Sequence, residues 1–510
     1  MKPYIAQRSQ NRDERGPSDE LRIAVTFRRP QDRLGPTKVA TRLSAASVMS
    51  FRPDPYDVDR ALHELHRRGF TPTVRGKLTA SVRGTRAQFE KVFGTKLVPV
   101  KLDAKKDYQF HTFYYPPANA PWTPDPALMD LIDDAYIQWP HIYMAKKKAP
   151  RRRAPARPAM ARAPAASAIS ATPPIVDYWH LDVPRDLTQL LDATRVHQAG
   201  TTGKGIRIVM IDTGFDHSHP FFTSHGFTSS VVLAPGANNR GTDPGSHGTG
   251  ESTNIFSLAP GATFIGVKLD RDGDPQDGAS ILEGFQEALK HQPHVISISM
   301  GYDLRTDDGQ SPLAELPGSL KALEAEIHAA IASGIVVVFS AGNGHYSFPG
   351  QMPDVISAGG VFVDRNGSMQ VSDYASAFKS EIYPGRNVPD FCGLVGLLPN
   401  ADYIMLPVPP GQEIDRENAA HDETRPTDAW AVFSGTSAAA PQLAGVCALL
   451  LEKNPGLKPA EIKAVLTRTA REITAGHGSP ASDPDGAGES ARDGAAGAGL
   501  VDAFSAWQQV

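Results

Sequence analysis

The stretch IRIVMIDTG (Ile206–Gly214) decides the fold class of the larger part of this chain. Its first six residues are almost wholly apolar, and it ends in Asp-Thr-Gly. Runs of the same character recur as TFIGVKL (263–269), HVISISM (294–300) and IVVVFSA (335–341). Strands with both faces buried have such sequences, as in a parallel sheet covered by helices. We therefore predict an α/β domain with a doubly wound, mostly parallel sheet over residues 175–510.

Four chemically reactive side chains stand at the ends of these segments. Asp212 follows the first strand in DTG, and Asn343 follows the last in AGNG. His247 lies in GSHGTG, and Ser437 lies in FSGTSAAAP, directly before apolar residues at helical spacing. Catalytic groups in an open α/β sheet gather at the carboxyl ends of its strands. Singly, each residue fits a turn or a helix cap. Together they favour catalysis.

The chemistry of these side chains suggests a role for each. Ser437 would be the nucleophile, and His247 the base that takes its proton and later gives it to the leaving amine. Asp212 would fix the imidazole tautomer. The Asn343 amide and the backbone N–H of Ser437 would form the oxyanion hole, where the positive end of a helix dipole also helps.

The motifs resemble those of a known family. IVMIDTGFDHSHP, SHGTG, SAGNG and SGTSAAAPQLAGVCALLL resemble the Asp, His, Asn and Ser blocks of the subtilisin-like (S8) serine peptidases, in that order, from about Asp192 to Trp507. The resemblance implies a serine endopeptidase that works through an acyl-enzyme. It also implies that Ser299, Met300 and Gly301 form an edge strand that pairs with substrate, opposite a wall made by Ser340, Ala341 and Gly342.

The His block departs from the family pattern at two positions. Gly250 replaces a second His often found there, and Glu251 occupies a normally apolar position. We expect both changes to alter packing near the base without removing a triad member.

The first part of the chain has a different pattern, which predicts a ferredoxin-like β-α-β-β-α-β domain. Its predicted strands are 21–27, 71–75, 77–82 and 97–102, with helices over 58–66 and around Phe89–Phe93. This domain resembles subtilase pro-domains, and VRGTRAQFEKVFGTKL (82–97) resembles sedolisin activation domains. The resemblance implies a zymogen in which the pro-domain is an intramolecular chaperone and inhibitor, with its C-terminal tail in the active cleft.

Composition divides the chain further. Residues 1–19 are polar and predicted to be disordered, 20–143 form the pro-domain, and 144–174 form an Ala/Pro/Arg-rich linker with a processing site. The linker's basic clusters could bind an acidic surface, but a solvated linker is the favoured interpretation.

Bulk properties limit the classes of partner. A net charge of −4 gives no reason to expect nucleic acid, and no apolar run is long enough for a bilayer. The N-terminal residues lack a secretory signal, which indicates a cytoplasmic protein or secretion by a non-classical route. Cys392 and Cys447 could form one bridge, but buried free thiols are the favoured interpretation. We expect a monomer whose partners are a peptide substrate and its own pro-domain.

No metal or other cofactor is predicted. Asp216, His217, His219 and His225 suggest a metal site, but packing beside the Asp block is the favoured interpretation. DRDGDPQDG (270–278) has the composition of a calcium loop without EF-hand spacing, so calcium stays a minor alternative.

Three rival functions remain open. The chain could be a non-catalytic relative that serves as a peptide-binding module, with the pro-domain permanently bound. It could be an acid-active, sedolisin-like enzyme, which a pH–rate profile would separate because a His base needs neutral pH. It could also be a processing protease dedicated to one partner protein.

Overall fold

The computed structural model describes residues 20–38, 42–101, 112–117, 120–139, 142–143, 169–274, 278–306, 311–399, 401–479 and 494–510. The predicted disordered segment 1–19 and residues 144–168 of the predicted linker lie outside the described residues. Among the helices that are described, none is long and apolar enough to cross a bilayer.

The first unit, residues 20–143, contains a four-stranded antiparallel sheet with helices on one side. Its elements are β1 (Glu20–Phe27), α1 (Pro55–Arg67), β2 (Thr71–Arg75), β3 (Thr79–Thr85), α2 (Arg86–Phe93), β4 (Val98–Lys101), β5 (Thr112–Tyr115), α3 (Pro126–Met129), β6 (Ile132–Ile137) and β7 (Ile142–Tyr143). The sheet order is β2-β3-β1-β6, and α1 and α2 bury apolar side chains against it. This is the strand order of the split βαβ arrangement.

One strand of that sheet was predicted in the wrong place. Residues 97–102 were expected to supply the fourth strand, but among the described residues β4 pairs with β5 alone, in a separate two-stranded ribbon. The fourth strand is β6, which pairs antiparallel with β1. Pro99, in the middle of β4, has no N–H to give to a ladder and so disfavours a place inside a sheet. The other three predicted strands and both helices are present.

The second unit carries the parallel sheet. Its strands are β8 (Leu181–Asp182), β9 (Arg207–Asp212), β10 (Ser229–Leu233), β11 (Thr263–Lys268), β12 (Val295–Ile298), β13 (Met300–Asp303), β14 (Val336–Ser340), β15 (Ser347–Phe348), β16 (Ile356–Val363), β17 (Met369–Val371), β18 (Phe378–Lys379), β19 (Asn387–Val388), β20 (Phe391–Leu394), β21 (Ile404–Pro407) and β22 (Trp430–Val432). Its helices are α4 (Arg185–Leu190), α5 (Ala193–Gln198), α6 (Pro220–His225), α7 (His247–Leu258), α8 (Ile281–Leu289), α9 (Lys321–Ala332), α10 (Glu413–Asn418), α11 (Thr436–Lys453), α12 (Pro459–Thr469) and α13 (Ala503–Gln508).

Within the described ranges the main sheet has eight strands, and it confirms the doubly wound prediction. Its order is β10-β11-β9-β12-β14-β16-β17, and β20 also pairs with β16. All pairs are parallel except β16 with β17. The chain builds outward from β9 in one direction and then in the other. Ligand sites in such sheets lie where the order reverses, at the carboxyl ends of the strands.

Helices cover the sheet on both faces. Two large apolar clusters result, one containing residues of α7 and α11 and the other containing residues of α8 and α9. Cys392 and Cys447 belong to the first cluster as buried free thiols, as predicted.

The first unit lies against α8 and α9 through buried polar contacts. The carboxylate of Glu326 in α9 accepts hydrogen bonds from the backbone N–H groups of Lys77, Leu78 and Thr79 at 2.9, 2.7 and 2.6 Å. Gln286 in α8 donates to the Thr79 hydroxyl at 2.7 Å and accepts from the Ser81 hydroxyl at 2.7 Å. Because buried donors and acceptors are costly when unpaired, these matched contacts give the two units a fixed relative position.

Candidate active site

The centre of the site is the contact between Asp212 and His247. Asp212 is the last residue of β9 and is fully buried, and His247 is the first residue of α7. His247 Nδ1 lies 2.8 Å from Asp212 Oδ1, and the backbone N–H of Thr213 donates to the same oxygen at 2.7 Å. An ionised carboxylate accepts only, so this contact puts a hydrogen on Nδ1 and makes Nε2 the basic nitrogen of a neutral ring.

The start of α7 is packed tightly against β9. Ser246, which precedes His247, has a positive φ of 63°, a conformation that is uncommon for a residue with a side chain. A Cβ atom on Gly248 would lie 2.2 Å from the carbonyl oxygen of Gly214, so only glycine fits there. The sequence GSHGTG therefore lets the helix begin close enough for His247 to reach Asp212.

A buried carboxylate, Asp243, fastens this junction. Its Oδ1 accepts from the Thr213 hydroxyl at 2.7 Å, and its Oδ2 accepts from the backbone N–H and hydroxyl of Thr249 at 2.8 and 2.7 Å. The Thr213 hydroxyl also accepts from the backbone N–H of Gly248 at 3.0 Å. Burial raises the pKa of Asp243 to about 6, and nearby Asp212 adds to the rise. Asp243 thus ties the loop after β9 to the first turn of α7.

Ser437 is the second residue of α11 and is almost fully buried. Its hydroxyl donates to the carbonyl oxygen of Ser299 at 3.4 Å, and the Ser299 hydroxyl donates to the Ser437 carbonyl at 2.8 Å. Pro441, four residues further along α11, lacks the N–H that would otherwise pair with that carbonyl. Ser299 therefore replaces a missing helix hydrogen bond and joins α11 to the point between β12 and β13.

Asn343 follows β14 and faces the start of α11. Its Oδ1 accepts from the backbone N–H and the hydroxyl of Thr436, both at 3.0 Å. Because the oxygen faces Thr436, the amide nitrogen is directed the other way, and it would lie 3.0 Å from a Cβ at Gly435. The Asn343 side chain is thus fixed by its contacts with Thr436, the residue directly before Ser437.

The two predicted walls of the cleft lie on different strands. Met300 and Gly301 start β13 and pair antiparallel with Tyr143 and Ile142 of the first unit. Ser340 ends β14, and Gly342 donates its backbone N–H to the Thr436 hydroxyl at 3.1 Å. Ala341 donates to Ala358 at 2.9 Å. The chain of the first unit therefore occupies the strand edge that was assigned to substrate.

Comparison with known proteins supplies the family. The model of the subtilase family, peptidase S8, matches residues 203–499, which is more than half of the chain. The chain belongs to the subtilase family. Subtilisin E of Bacillus subtilis is 28% identical over 307 residues, covering 56% of this chain and 66% of subtilisin E. A subtilisin of Bacillus pumilus is 27% identical over 307 residues, covering 56% of this chain and 91% of that protein. The chain thus spans just under two thirds of subtilisin E.

A solved structure supports the fold of this subtilase. Fervidolysin from Fervidobacterium pennivorans, a keratinolytic enzyme related to subtilisin, superposes with a TM-score of 0.55. It is 19% identical, and the match covers 99% of this chain and 63% of fervidolysin. At this identity the likeness concerns the fold alone.

Sequence reasoning missed two acidic residues of this subtilase site. Asp243 was not singled out, although an acidic residue shortly before a helix start is a common cap signal. Glu251 was noted, but its effect was assigned to packing. In the structure, its Oε1 lies 4.0 Å from His247 Nε2, one helical turn away. The i, i+4 spacing of the two residues was the available signal.

The histidine cluster beside the Asp block packs among aromatic rings. His217 Nε2 lies 3.0 Å from the Ser252 hydroxyl, and its ring centroid is 4.4 Å from that of Phe222. His219 Nδ1 accepts from the backbone of Phe221 at 3.0 Å. Burial lowers the pKa of His217 to about 3 and that of His219 to about 4. Within the described ranges, no group of three His, Cys, Asp or Glu side chains is placed to hold a metal.

One carboxylate of the 270–278 loop, whose residues 275–277 are outside the described set, already has protein partners. Asp272 is engaged through both oxygens, by the Lys268 ammonium at 2.6 Å and by Thr242 and Asn239 at 2.7 and 2.8 Å. The Lys268 side chain is fully buried. A lysine ammonium already supplies the cation that balances this carboxylate.

Proposed function

We propose that this subtilase is a serine endopeptidase made as a zymogen. It would hydrolyse peptide bonds through Asp212, His247 and Ser437, with residues 20–143 as its pro-domain and own inhibitor. The observation that carries the proposal is the 2.8 Å contact between His247 Nδ1 and Asp212 Oδ1, which directs Nε2 to act as the base. A binding module would have no need to fix an imidazole tautomer in this way.

The reaction would proceed in two halves. Ser437 Oγ attacks the peptide carbonyl carbon while His247 Nε2 takes its proton, and Asp212 stabilises the imidazolium. The Asn343 amide and the Ser437 backbone N–H receive the oxyanion. Nε2 then gives the proton to the amine as the C–N bond breaks, and the acyl-enzyme remains. Water then attacks the ester carbon while Nε2 takes its proton, and Nε2 returns a proton to Ser437 Oγ as the ester bond breaks.

The zymogen part of the proposal rests on β7. Ile142 and Tyr143 pair antiparallel with Gly301 and Met300, which belong to the strand edge assigned to substrate and directly follow Ser299. Main-chain pairing is a common way to hold an extended peptide at a protein surface. A segment held there blocks other peptides. The pairing favours a cut close to the start of the predicted linker, 144–174.

Incubation of purified full-length protein beside the Ser437→Ala variant tests the proposal. We expect the wild type to split within 144–174, as shown by gel and intact mass, while Ser437→Ala stays whole. If both stay whole, limited trypsin cleavage of the linker and a fluorophosphonate probe decide the question. Absence of label on Ser437 after that cleavage would favour the non-catalytic binding module.

A pH–rate profile and a substrate survey separate the other rivals. Activity that falls in acid with the ionisation of an imidazole supports the His base, and an acid optimum supports a carboxylate base. Cleavage of many unrelated unfolded proteins supports general proteolysis. Cleavage of a single protein from a mixture would indicate a dedicated processing protease.

A further inference from the structure

The side chain of Glu251 is directed at the nitrogen of His247 that Asp212 does not contact. His247 Nδ1 lies 2.8 Å from Asp212, whereas His247 Nε2 lies 4.0 Å from Glu251 Oε1. Residues four apart on a helix share one face, so this approach follows from their places in α7. The imidazole ring therefore lies between two carboxyl groups.

We propose that Glu251 is a positioning residue that stabilises the protonated form of His247 from its Nε2 side and thereby sets the pH range in which the enzyme works. The inference rests on the proposed function of His247 as the base. It concerns one residue of this chain that replaces an apolar one in the family pattern.

A hydrogen-bond network fixes the Glu251 side chain, which is 1% exposed. Asn254 Nδ2 donates to Glu251 Oε2 at 3.0 Å. Asn254 Oδ1 accepts from Gln442 Nε2 in α11 at 3.1 Å, and Gln442 Oε1 accepts from the backbone of Leu394 at 2.7 Å. The network leads from α7 through α11 to β20. It therefore holds Oε2 on the Asn254 side and Oε1 on the His247 side.

Burial gives this arrangement its electrostatic effect. A carboxylate removed from water is unfavourable unless a cation or donors compensate it. A neutral His247 offers little compensation at 4.0 Å, whereas an imidazolium offers a full positive charge. The attraction thus favours the state in which Nε2 carries the Ser437 proton. At that separation Glu251 does not capture the Nε2–H in a hydrogen bond, so the proton can pass to the departing amine.

Among the described elements packed against α7, none places an unpaired positive charge beside His247; Arg207 of β9 stands at the end of that strand opposite Asp212. α11 carries no charged residue before Glu452, and β21, which packs on α7, carries none. In α4, Asp186 is paired with Arg185 at 2.7 Å. His217, after β9, has a pKa lowered to about 3 by burial and is neutral in the working range.

The other acidic groups near His247 remain in place when residue 251 is replaced. Asp212 contacts Nδ1 directly, and Asp243 acts through Thr213. Replacing Glu251 by Gln removes one charge and leaves these two in place. Gln also keeps an oxygen that can accept from Asn254, so the network through Gln442 need not change.

Direct titration of His247 tests the proposal without relying on catalysis. The full-length Ser437→Ala protein is labelled with ¹³C-histidine, and the His247 signal is identified by its loss in His247→Gln. We expect Glu251→Gln to lower the midpoint of the His247 titration by about one pH unit. A midpoint that does not move overturns the proposal. Glu324→Gln, a buried Glu of α9 away from the site, should leave the midpoint unchanged.

Activity gives a second, independent readout in the Ser437 protein. The acid limb of the kcat/KM profile should move down with the titration, so that relative activity one pH unit below the wild-type midpoint rises about fivefold in Glu251→Gln. Glu251→Asp keeps the charge and should retain most of the wild-type pH profile. If Glu251→Gln fails to fold, the profile of Glu251→Asp still tests the proposal. An inactive wild type would refute the proposed function, while the NMR midpoint would still decide the role of Glu251.

Discussion

The side-chain hydroxyl of Ser299 donates a hydrogen bond to the backbone carbonyl of Ser437 at 2.8 Å. Proline at position 441 removes the helical donor for that carbonyl, and Ser299 supplies another from outside the helix. The candidate nucleophile is thereby joined at its backbone to the residue that precedes β13, the strand predicted to pair with substrate. A change at Ser299 should affect both stability and the alignment of Ser437.

Replacing Ser299 by Ala should lower stability by about 1–3 kcal/mol, because the buried Ser437 carbonyl loses its donor. Adding Pro441→Ala should recover part of this loss, since an alanine there supplies the backbone N–H that proline lacks, four residues after Ser437. Thermal unfolding of these variants in the Ser437→Ala background measures the effect. Ser297→Ala is the matched control, because the buried Ser297 hydroxyl has no hydrogen-bond partner among the described residues. Equal losses at 297 and 299 would contradict the argument.

Replacing Glu326 by Gln should weaken the docking of residues 20–143 on the second unit about tenfold or more. The substitution removes a charge that accepts three backbone N–H groups and places an amide nitrogen opposite one of them. The test uses the Ser437→Ala protein after trypsin cleavage of the linker. On gel filtration, the two parts of the Glu326→Gln variant should separate at a higher protein concentration than the two parts of the parent do. Glu324→Gln, whose carboxylate instead accepts from Tyr383 at 2.7 Å, should behave like the parent. If the two parts of the Glu326 variant co-elute as those of the parent do, Glu326 does not contribute to the docking.

His217 should make stability fall in mild acid. Burial lowers its pKa to about 3 in the folded protein, whereas an unfolded histidine titrates near 6.5. The folded chain therefore gains nothing from protonation between these values while the unfolded chain does, so stability is complete above about pH 6.5 and is lost below it. The loss at pH 5 is about 2 kcal/mol.

The check is the change in unfolding temperature between pH 7 and pH 5, in the Ser437→Ala background. This change should be smaller in His217→Gln than in the parent. The comparison holds even if the substitution itself shifts the unfolding temperature at pH 7. His63→Gln, at an exposed position of α1, should retain the parental pH dependence. An identical pH dependence in His217→Gln and the parent would show that this histidine does not titrate as described.

Much of the fold was predictable because its signals are local. The apolar runs that became β9, β11, β12 and β14 need burial on both faces wherever they lie. The four candidate site residues stand beside strands or helix starts with glycines that permit tight turns. The exchange of β4 for β6 shows the limit: both segments can form strands, and only pairing with β1 distinguishes them.

The sequence by itself determined the doubly wound architecture and the identity of Asp212, His247, Asn343 and Ser437 as candidates, since each depends on neighbours within a few residues. Only the tertiary structure decided that Glu251 faces the His247 ring, that Ser299 compensates for Pro441, and that Ile142–Tyr143 lies on β13. Two of these contacts join segments far apart in the chain, and the third depends on side-chain rotamers that the i, i+4 spacing of His247 and Glu251 permits but does not fix. They exist because close packing leaves each buried polar group one set of partners within reach.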